Sequence, residues 1–403
     1  MWGGGATVKS FMSWAAALAL AAGWAGAAIA RDIPAANSLP ITKYLQVAVR
    51  PSSPSVDGFV GDDRAHAAYE LYVTNFGDKP IRIVAARIAA AAGGPAFSRM
   101  IDRDELAGDF AKIGARRGTR QTPLLGRRES GVIFLFLDFG PPEKTPAALV
   151  NSLDIEIEGK PDTEQRLTIA QIEVSGNGAA VIRPPFTGAN WLAANGPSNT
   201  STHRRTILTV DGRPRIGQRF AIDFVQLGAD GRTYRGDPNR NASYLAYDTP
   251  IAAVAAGTIA AALDGVPENT PQSPKMAVEL NLSNVGGNFI AEKIGAGRYV
   301  MYAHLKPGSL KVKPGDKVAA GQIIARLGNS GNSTEPHLHL QVCDAPSFAA
   351  SSGIPYEFDS FKLEKYRIDR KDGQPVNLTI EGSTHVERQT PMEDELVAFP
   401  GGQ

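Results

Sequence analysis

The sequence has a single cysteine, and the lack of a second thiol restricts the chemistry open to it. Cys343 is the one cysteine among 403 residues, so an intramolecular disulfide and a cysteine-ligated zinc knuckle are both excluded. A metal ion would have to be held by histidine and carboxylate ligands. An excess of one charge is also missing, because 42 Lys and Arg residues offset 41 Asp and Glu residues. Since no basic cluster stands out, we predict no nucleic-acid partner.

Three common catalytic signatures are absent from the sequence. The chain has neither the HExxH pattern of helical zinc peptidases nor the GxxxxGK pattern of phosphate-binding loops. Ser330 lies in Gly-Asn-Ser-Gly-Asn, residues 328–332, and lacks the glycine that a nucleophile elbow has two positions after its serine. A serine hydrolase is therefore excluded as well.

Long hydrophobic runs are missing except near the N-terminus. Residues 11–22 are apolar, they follow Lys9, and Ala-Ile-Ala at residues 28–30 has the small-x-small pattern that a signal peptidase accepts. We predict a signal peptide over residues 1–30, a mature chain that begins at Arg31 without a transmembrane domain, and export to the periplasm or the extracellular space. The alternative is an uncleaved membrane anchor.

The rest of the chain is predicted to be mainly β. From about Ile41 to Ile182 short strands alternate with turn residues, which predicts an N-terminal immunoglobulin-like β-sandwich of unknown role over residues 31–184. Two consecutive prolines then mark a boundary, since neither has an amide donor for a strand ladder. A second β-rich domain is expected over residues 185–360, and a C-terminal extension with a loose tail over residues 361–403.

Histidine is scarce, and its distribution is uneven. His337 and His339 are two residues apart, so on a strand both face the same side while Leu338 and Leu340 face the core. One imidazole could then bind a metal while the other stands beside the metal-bound water. The six histidines lie at positions 66, 203, 304, 337, 339 and 385, and we expect the isolated His66 to be a surface residue.

Two further polar residues lie in apolar strands. His304 ends the second strand of a hairpin predicted over residues 289–305, where alternation puts Tyr302 on the same face. Asp223 lies between apolar neighbours that face the opposite side, so its carboxylate should be buried. A buried carboxylate needs a cation, which either Arg219 or a zinc ion could supply.

Taken together, four motifs resemble the lysostaphin-type (LytM-like) zinc endopeptidases that cut peptidoglycan peptides, over about residues 200–345. The resemblance implies an antiparallel β-sheet peptidase domain. It also implies that Asp223 and His339 bind zinc (Zn²⁺) and that His304 and His337 are catalytic residues that assist the water and the transition state. The motifs are Tyr-Ala-His-Leu at 302–305, Gly-Asp-Lys-Val at 315–318 with Gly-Gln-Ile at 321–323, the Gly/Asn/Ser-rich run at 328–334, and His-Leu-His at 337–339.

The sequence departs from this family at one ligand. The family has a histidine four residues before the aspartate, and this chain has Arg219 there; arginine stays protonated and cannot ligate zinc. His203 is the candidate replacement. The turn signal at residues 211–214 predicts a hairpin centred on Arg213, and its register would put His203 directly opposite Asp223 on one face. The alternative is that His203 is an arm residue without a metal.

The combined prediction is an exported zinc metallopeptidase that hydrolyses peptide bonds of bacterial cell-wall peptidoglycan. Its metal ligands would be His203, Asp223 and His339, with His304 and His337 sharing the roles of base and oxyanion donor. One alternative, supported by Arg219, is a catalytically degenerate LytM-like domain that binds and regulates another cell-wall hydrolase, a wall-associated protein partner. Another is a lipoyl-like carrier module, suggested by residues 312–323 and disfavoured by export.

Overall fold

The computed structural model describes residues 45–91, 93–114, 121–169, 171–175, 178–369 and 377–401. The predicted signal peptide and the predicted start at Arg31 lie outside these ranges. From residue 46 onward the described chain forms one compact unit. Among the described residues, no helix is long and apolar enough to cross a membrane.

The chain up to residue 175 is built of short strands and one described helix. The helix α1 begins after Asp102, whose carboxylate accepts hydrogen bonds from the first free amides, as an N-cap residue does. In chain order the elements are β1 (Val47–Pro51), β2 (Ser55–Asp57), β3 (Phe59–Gly61), β4 (Arg64–Asn75), β5 (Ile81–Ala90), β6 (Ser98–Ile101), α1 (Arg103–Asp109), β7 (Phe110–Lys112), β8 (Leu124–Leu125), β9 (Ser130–Gly140), β10 (Ala148–Ile157), β11 (Lys160–Thr168) and β12 (Ile172–Ser175).

These strands form two sheets. The first has the order β1-β4-β9-β7 with β3 beside β4, and the second has the order β2-β12-β10-β5-β6 with β11 and β8 beside β10 and β5. The Tyr69 hydroxyl on β4 donates a hydrogen bond to Asn151 Oδ1 on β10 at 2.7 Å, which links the two sheets through a buried pair. The mainly β class is confirmed, and the immunoglobulin-like topology stays a prediction.

The position predicted for His66 is wrong. This residue is 4% exposed, because β3 pairs with β4 and puts Phe59 directly opposite it. Its Nε2 atom is 2.9 Å from Asp62 Oδ1 and 3.2 Å from the Gly61 carbonyl oxygen. An isolated histidine in a sequence carries no sign of the neighbouring strand that covers it.

The second half of the chain forms one large sheet and two short two-stranded ladders. The strands are β13 (Ala180–Ile182), β14 (Gly188–Ala194), β15 (Leu208–Val210), β16 (Arg213–Arg215), β17 (Ile222–Gln226), β18 (Pro250–Ala252), β19 (Gly257–Leu263), β20 (Asn288–Gly295), β21 (Arg298–Leu305), β22 (Lys317–Val318), β23 (Ile323–Arg326), β24 (Leu338–Cys343), β25 (Gly353–Ile354), β26 (Tyr356–Asp369), β27 (Asn377–Gln389) and β28 (Leu396–Phe399). The large sheet has the order β13-β26-β28-β14-β17-β24-β21-β20-β19-β22, with β25 beside β24 and β27 beside β26, and the two ladders are β15-β16 and β18-β23.

Two strands of this sheet, β13 and β28, bear on the predicted organisation of the chain. The prediction of a loose C-terminal tail is wrong: β28 pairs with β14 on one side and β26 on the other, and Val397 and Phe399 are buried in the main core. The run of four residues is too short to predict a strand, and its two partners stabilise it. β13 also joins the large sheet, just before the prolines that marked the predicted boundary at residue 184. The division into domains stays a prediction.

The middle of the large sheet separates a hydrophobic face from a polar one. As predicted, Leu338 and Leu340 on β24 face the core, where they join Ile222 and Phe224 of β17. Since side chains alternate along a strand, the residues between them face the opposite side. That side carries the candidate site.

The hairpin predicted around Arg213 is much shorter than expected. β15 and β16 pair Val210 with Arg213 and Leu208 with Arg215, and the described ladder ends there. Residues 201–207 form turns instead of a strand, and β17 pairs with β14 and β24. The register that placed His203 opposite Asp223 is therefore wrong. Asp223 is opposite Ala194 and His339 instead.

Candidate metal centre

Three side chains from three parts of the chain meet at the polar face of the large sheet. Asp223 comes from β17, His339 from β24 directly opposite it, and His203 from the turns at 201–207. His203 Nε2 is 3.2 Å from Asp223 Oδ2, and His339 Nδ1 is 2.9 Å from Asp223 Oδ1. One ligand atom from each residue lies within 4.8 Å of the other two, and all three residues are buried.

The remaining ring nitrogens show how the two imidazoles are oriented. His203 Nδ1 is 2.9 Å from the Asn195 carbonyl oxygen, and His339 Nε2 is 2.9 Å from Gln341 Oε1. These oxygens accept, so the outer nitrogens donate, while His203 Nε2 and His339 Nδ1 face the Asp223 carboxylate. In neutral rings these two inner nitrogens offer lone pairs, so the three side chains match the donor set and the outer hydrogen bonds that zinc sites use.

Two further histidines line the same site. His337 precedes β24; its Nδ1 donates to the Glu335 carbonyl oxygen at 2.8 Å, and its Nε2 is 3.4 Å from Asp223 Oδ1. His304 Nδ1 donates to the Ser330 carbonyl oxygen at 2.8 Å. The centroids of the two rings are 4.7 Å apart. In both residues the Nε2 atom is left to act on a ligand in the site.

His304 reaches the site because the backbone turns at the end of β21. The hairpin of β20 and β21 forms as predicted, but Tyr302 and His304 do not share a face as expected. Tyr302 lies opposite Leu340 in the ladder and is buried in the core. His304 has a φ of 61°, a left-handed conformation that interrupts strand alternation. This turn brings the imidazole to the side occupied by His339.

The charges in the site shift several pKa values. Burial alone would raise the pKa of Asp223, but attraction to His203 and His337 outweighs it and holds that pKa well below its usual value. Burial would lower the pKa of those two histidines, and the Asp223 carboxylate raises it. Burial lowers the pKa of His304 well below normal, and His337 and His339 add to this shift. His304 is therefore a neutral acceptor at neutral pH.

An open cleft of about 360 Å³ surrounds these residues. Its walls combine hydrogen-bonding groups with a few apolar side chains and contain neither lysine nor arginine among the described lining residues. Outside the five site residues, its walls include Asn195, Thr202, Val285, Asn332, Thr334, Glu335 and Phe348.

Arg219 lies away from the carboxylate that it was expected to neutralise. Its guanidinium binds Glu70 through Nη2 at 2.8 Å and Nε at 3.1 Å, and its Nη1 donates to the Gly353 carbonyl oxygen at 3.1 Å. The alternative in which Arg219 pairs with Asp223 is therefore wrong. Asn195, whose amide donates to Asp223 Oδ2 at 3.0 Å, is a site residue that the sequence does not predict. No periodic or motif signal marks that contact.

Residues 243–347 match the profile described as Peptidase family M23. This segment is a peptidase family M23 domain. It contains His304, His337 and His339, whereas His203 and Asp223 precede it.

Similar proteins match over limited lengths. Endolysin 2638A of Staphylococcus phage 2638A is 28% identical over 188 residues, which cover 41% of this chain and 37% of the endolysin. Glycyl-glycine endopeptidase ALE-1 of Staphylococcus capitis is 45% identical over 67 residues, which cover 16% of this chain and 18% of the endopeptidase. The chain thus spans well under half the length of these relatives. The solved catalytic domain of lysostaphin from Staphylococcus simulans is 25% identical and has a TM-score of 0.22, covering 42% of this chain and 88% of that domain.

Proposed function

We propose that this protein is a zinc metalloendopeptidase that hydrolyses peptide bonds of bacterial cell-wall peptidoglycan. The observation that carries the proposal is the buried group of His203, Asp223 and His339, whose ligand atoms lie within 4.8 Å of one another, with His203 Nε2 and His339 Nδ1 both facing the carboxylate. Three protein ligands are the usual number in a catalytic zinc site, which keeps one position open. The M23 match over residues 243–347 supports the peptidase class.

Zinc bound by these three side chains would supply Lewis-acid chemistry, which activates water and polarises a carbonyl group. The histidines beside it handle protons. His304 has its Nδ1 proton committed to Ser330, so its Nε2 accepts a proton from the attacking water. His337 keeps its Nδ1 proton on Glu335 and, once protonated, donates from Nε2 to the developing oxyanion.

The substrate class is supported by two observations. The open cleft beside the histidines has, among its described lining residues, no lysine or arginine that would select nucleic acid or phosphate. The relatives carry the names endolysin and glycyl-glycine endopeptidase, and the motifs resemble the lysostaphin type, which cuts peptidoglycan peptides. We therefore assign a wall peptide as the substrate.

A wall peptide substrate requires that the protein leave the cytoplasm. Cleavage after Ala30 would supply an exported chain that begins at Arg31, because Ala28 and Ala30 fit the small subsites of a signal peptidase. N-terminal sequencing of the protein from an extracytoplasmic fraction checks this expectation. A chain that still begins at Met1 in the membrane fraction contradicts it.

Hydrolysis of purified peptidoglycan by the zinc-loaded full chain tests the proposed activity. We expect His304→Ala and His337→Ala each to retain zinc and to lower the hydrolysis rate by about a hundredfold or more, the scale of a positioned acid or base. Unchanged rates in both variants would remove these residues from the mechanism. A wild-type chain that binds no zinc, releases no peptide and binds another wall hydrolase would support the regulatory alternative.

A further inference from the structure

His203 is the one proposed ligand that no strand ladder positions. Asp223 and His339 are fixed in register on β17 and β24, whereas residues 201–207 form turns. A zinc–nitrogen bond is about 2.0–2.1 Å long and tolerates little displacement. The hydrogen bond of His203 Nδ1 to the Asn195 carbonyl oxygen orients the ring, but a further contact must fix the backbone of the turn.

That contact comes from the next residue. Arg204 is fully buried, and its Nη1 forms an ion pair with Glu70 Oε1. Its Nη2 donates to the carbonyl oxygens of Tyr69 at 2.8 Å and Leu135 at 3.2 Å. All of these acceptors lie on β4 and β9 of the first sheet, so the turn that carries His203 is attached to the N-terminal part of the protein.

A second arginine attaches the same turn. The Arg205 Nη2 atom donates to Asp109 Oδ1 at 3.0 Å, at the end of α1. Its guanidinium carbon lies 4.3 Å from the centroid of the Phe134 ring on β9. Arg204 and Arg205, the two residues after His203, thus both contact the N-terminal part of the protein, at β4, β9 and α1.

Glu70 is the centre of this attachment. Its carboxylate is completely buried and is shared by Arg204 and Arg219. Burial alone would raise its pKa, but Arg219 and Arg204 lower it to about 2, so the group stays charged. Arginine binds such a carboxylate with a rigid fork that fixes direction as well as distance. The carboxylate does not face the metal centre and takes no part in the proposed hydrolysis.

We propose that Glu70 is a positioning residue for the metal centre, which holds Arg204 and thereby keeps His203 Nε2 directed at Asp223. The first sheet then completes a zinc site whose other two ligands lie on the large sheet. This inference rests on the proposed zinc site. It gives the N-terminal sheets a role in metal binding, beyond packing.

The test compares two buried carboxylates in the full chain. Asp154 is the matched control for Glu70: it is 1% exposed and is also shared by two arginines, Arg87 and Arg166, at 2.7 Å each. Those arginines belong to the second sheet and do not reach the metal centre. The variants Glu70→Gln and Asp154→Asn therefore each remove one buried charge shared by two arginines.

Zinc affinity is measured by competition with a chelator, and near-ultraviolet circular dichroism monitors folding. We expect Glu70→Gln to weaken zinc binding at least tenfold and Asp154→Asn to stay within about twofold of wild type. In the Co²⁺-substituted protein, the visible absorption of the site should change in Glu70→Gln alone. Equal affinities in wild type and folded Glu70→Gln overturn the proposal, as does equal weakening by both variants.

A second variant covers the case in which Glu70→Gln fails to fold. Arg204→Lys keeps the positive charge beside Glu70 but loses the fork that reaches Tyr69 and Leu135. We expect it to fold and to weaken zinc binding, and wild-type affinity in this variant also overturns the proposal. A wild-type protein that binds no zinc instead contradicts the proposed function, so the two failures are distinguishable.

Discussion

At the scale of single residues, substitution of His203 tests the proposed set of three metal ligands. The His203→Ala variant would leave only Asp223 and His339, and two protein ligands are too few for a stable zinc site. We therefore expect this variant to lose zinc to a mild chelator, as measured by metal analysis after dialysis. His385→Ala is the matched control, because this histidine is exposed on β27 with 60% of its side chain accessible. Full zinc occupancy in His203→Ala would show that another residue is the third ligand.

The same residues show how far a sequence can predict a site. His337 and His339 line one cleft, as strand alternation predicts for the pair, although His337 lies just before β24. The burial of Asp223 follows from its apolar neighbours. The prediction of His203 rests on a hairpin register that does not exist; the turn that carries this residue is instead attached to the first sheet by the contact of Arg204 with Glu70, 134 residues away in sequence. A contact between side chains so distant in the chain leaves no periodic pattern. The left-handed backbone conformation of His304 is a local feature, but strand alternation does not predict it either.

At the scale of elements, the β20–β21 hairpin, which carries His304 near its end, also contains a buried acid, Glu292. The Tyr302 hydroxyl donates to Glu292 Oε2 at 2.5 Å, and Glu292 itself is completely buried. Burial raises the pKa of Glu292 from 4.5 to about 7, although its hydrogen bond with Tyr302 opposes the shift. The folded protein therefore favours the protonated acid, whereas the unfolded chain ionises it near pH 4.5. The stabilisation is complete below pH 4.5 and is lost as the pH rises through about 7.

We expect the free energy of unfolding of the wild-type protein to fall by about 3 kcal/mol more than that of Glu292→Gln between pH 4.5 and 8, at about 1.4 kcal/mol per pKa unit. Glutamine mimics the neutral acid, so the variant lacks this slope. Urea denaturation at several pH values, with saturating zinc in both proteins, measures the difference and cancels the titration of the metal ligands. Parallel curves would mean that Glu292 has an ordinary pKa in the folded protein.

At the scale of the whole molecule, the C-terminal strand β28 connects two parts of the sheet that carries the candidate metal centre. β28 lies between β14 and β26, and β14 is the direct neighbour of β17, which carries Asp223. The Phe399 ring on β28 packs against Phe224 of β17 and Phe358 of β26, with centroids 5.7 Å and 5.2 Å away. The sequence could not predict the position of β28 in the sheet, because this strand has only four residues and β14, one of its two partners, is distant in the chain.

The contribution of β28 to the free energy of unfolding is measurable. Phe399 is 3% exposed, and removing a buried aromatic ring creates a cavity that costs about 3–5 kcal/mol. We expect Phe399→Ala to lower the free energy of unfolding by that amount in chemical denaturation, with zinc affinity unchanged where the protein is folded. Ile380→Ala is the control, because Ile380 on β27 is 40% exposed and should cost about 1 kcal/mol or less. A cost for Phe399→Ala as small as that of the control would mean that the C-terminal strand is detached in solution. The strand would then lend no support to the sheet beneath Asp223.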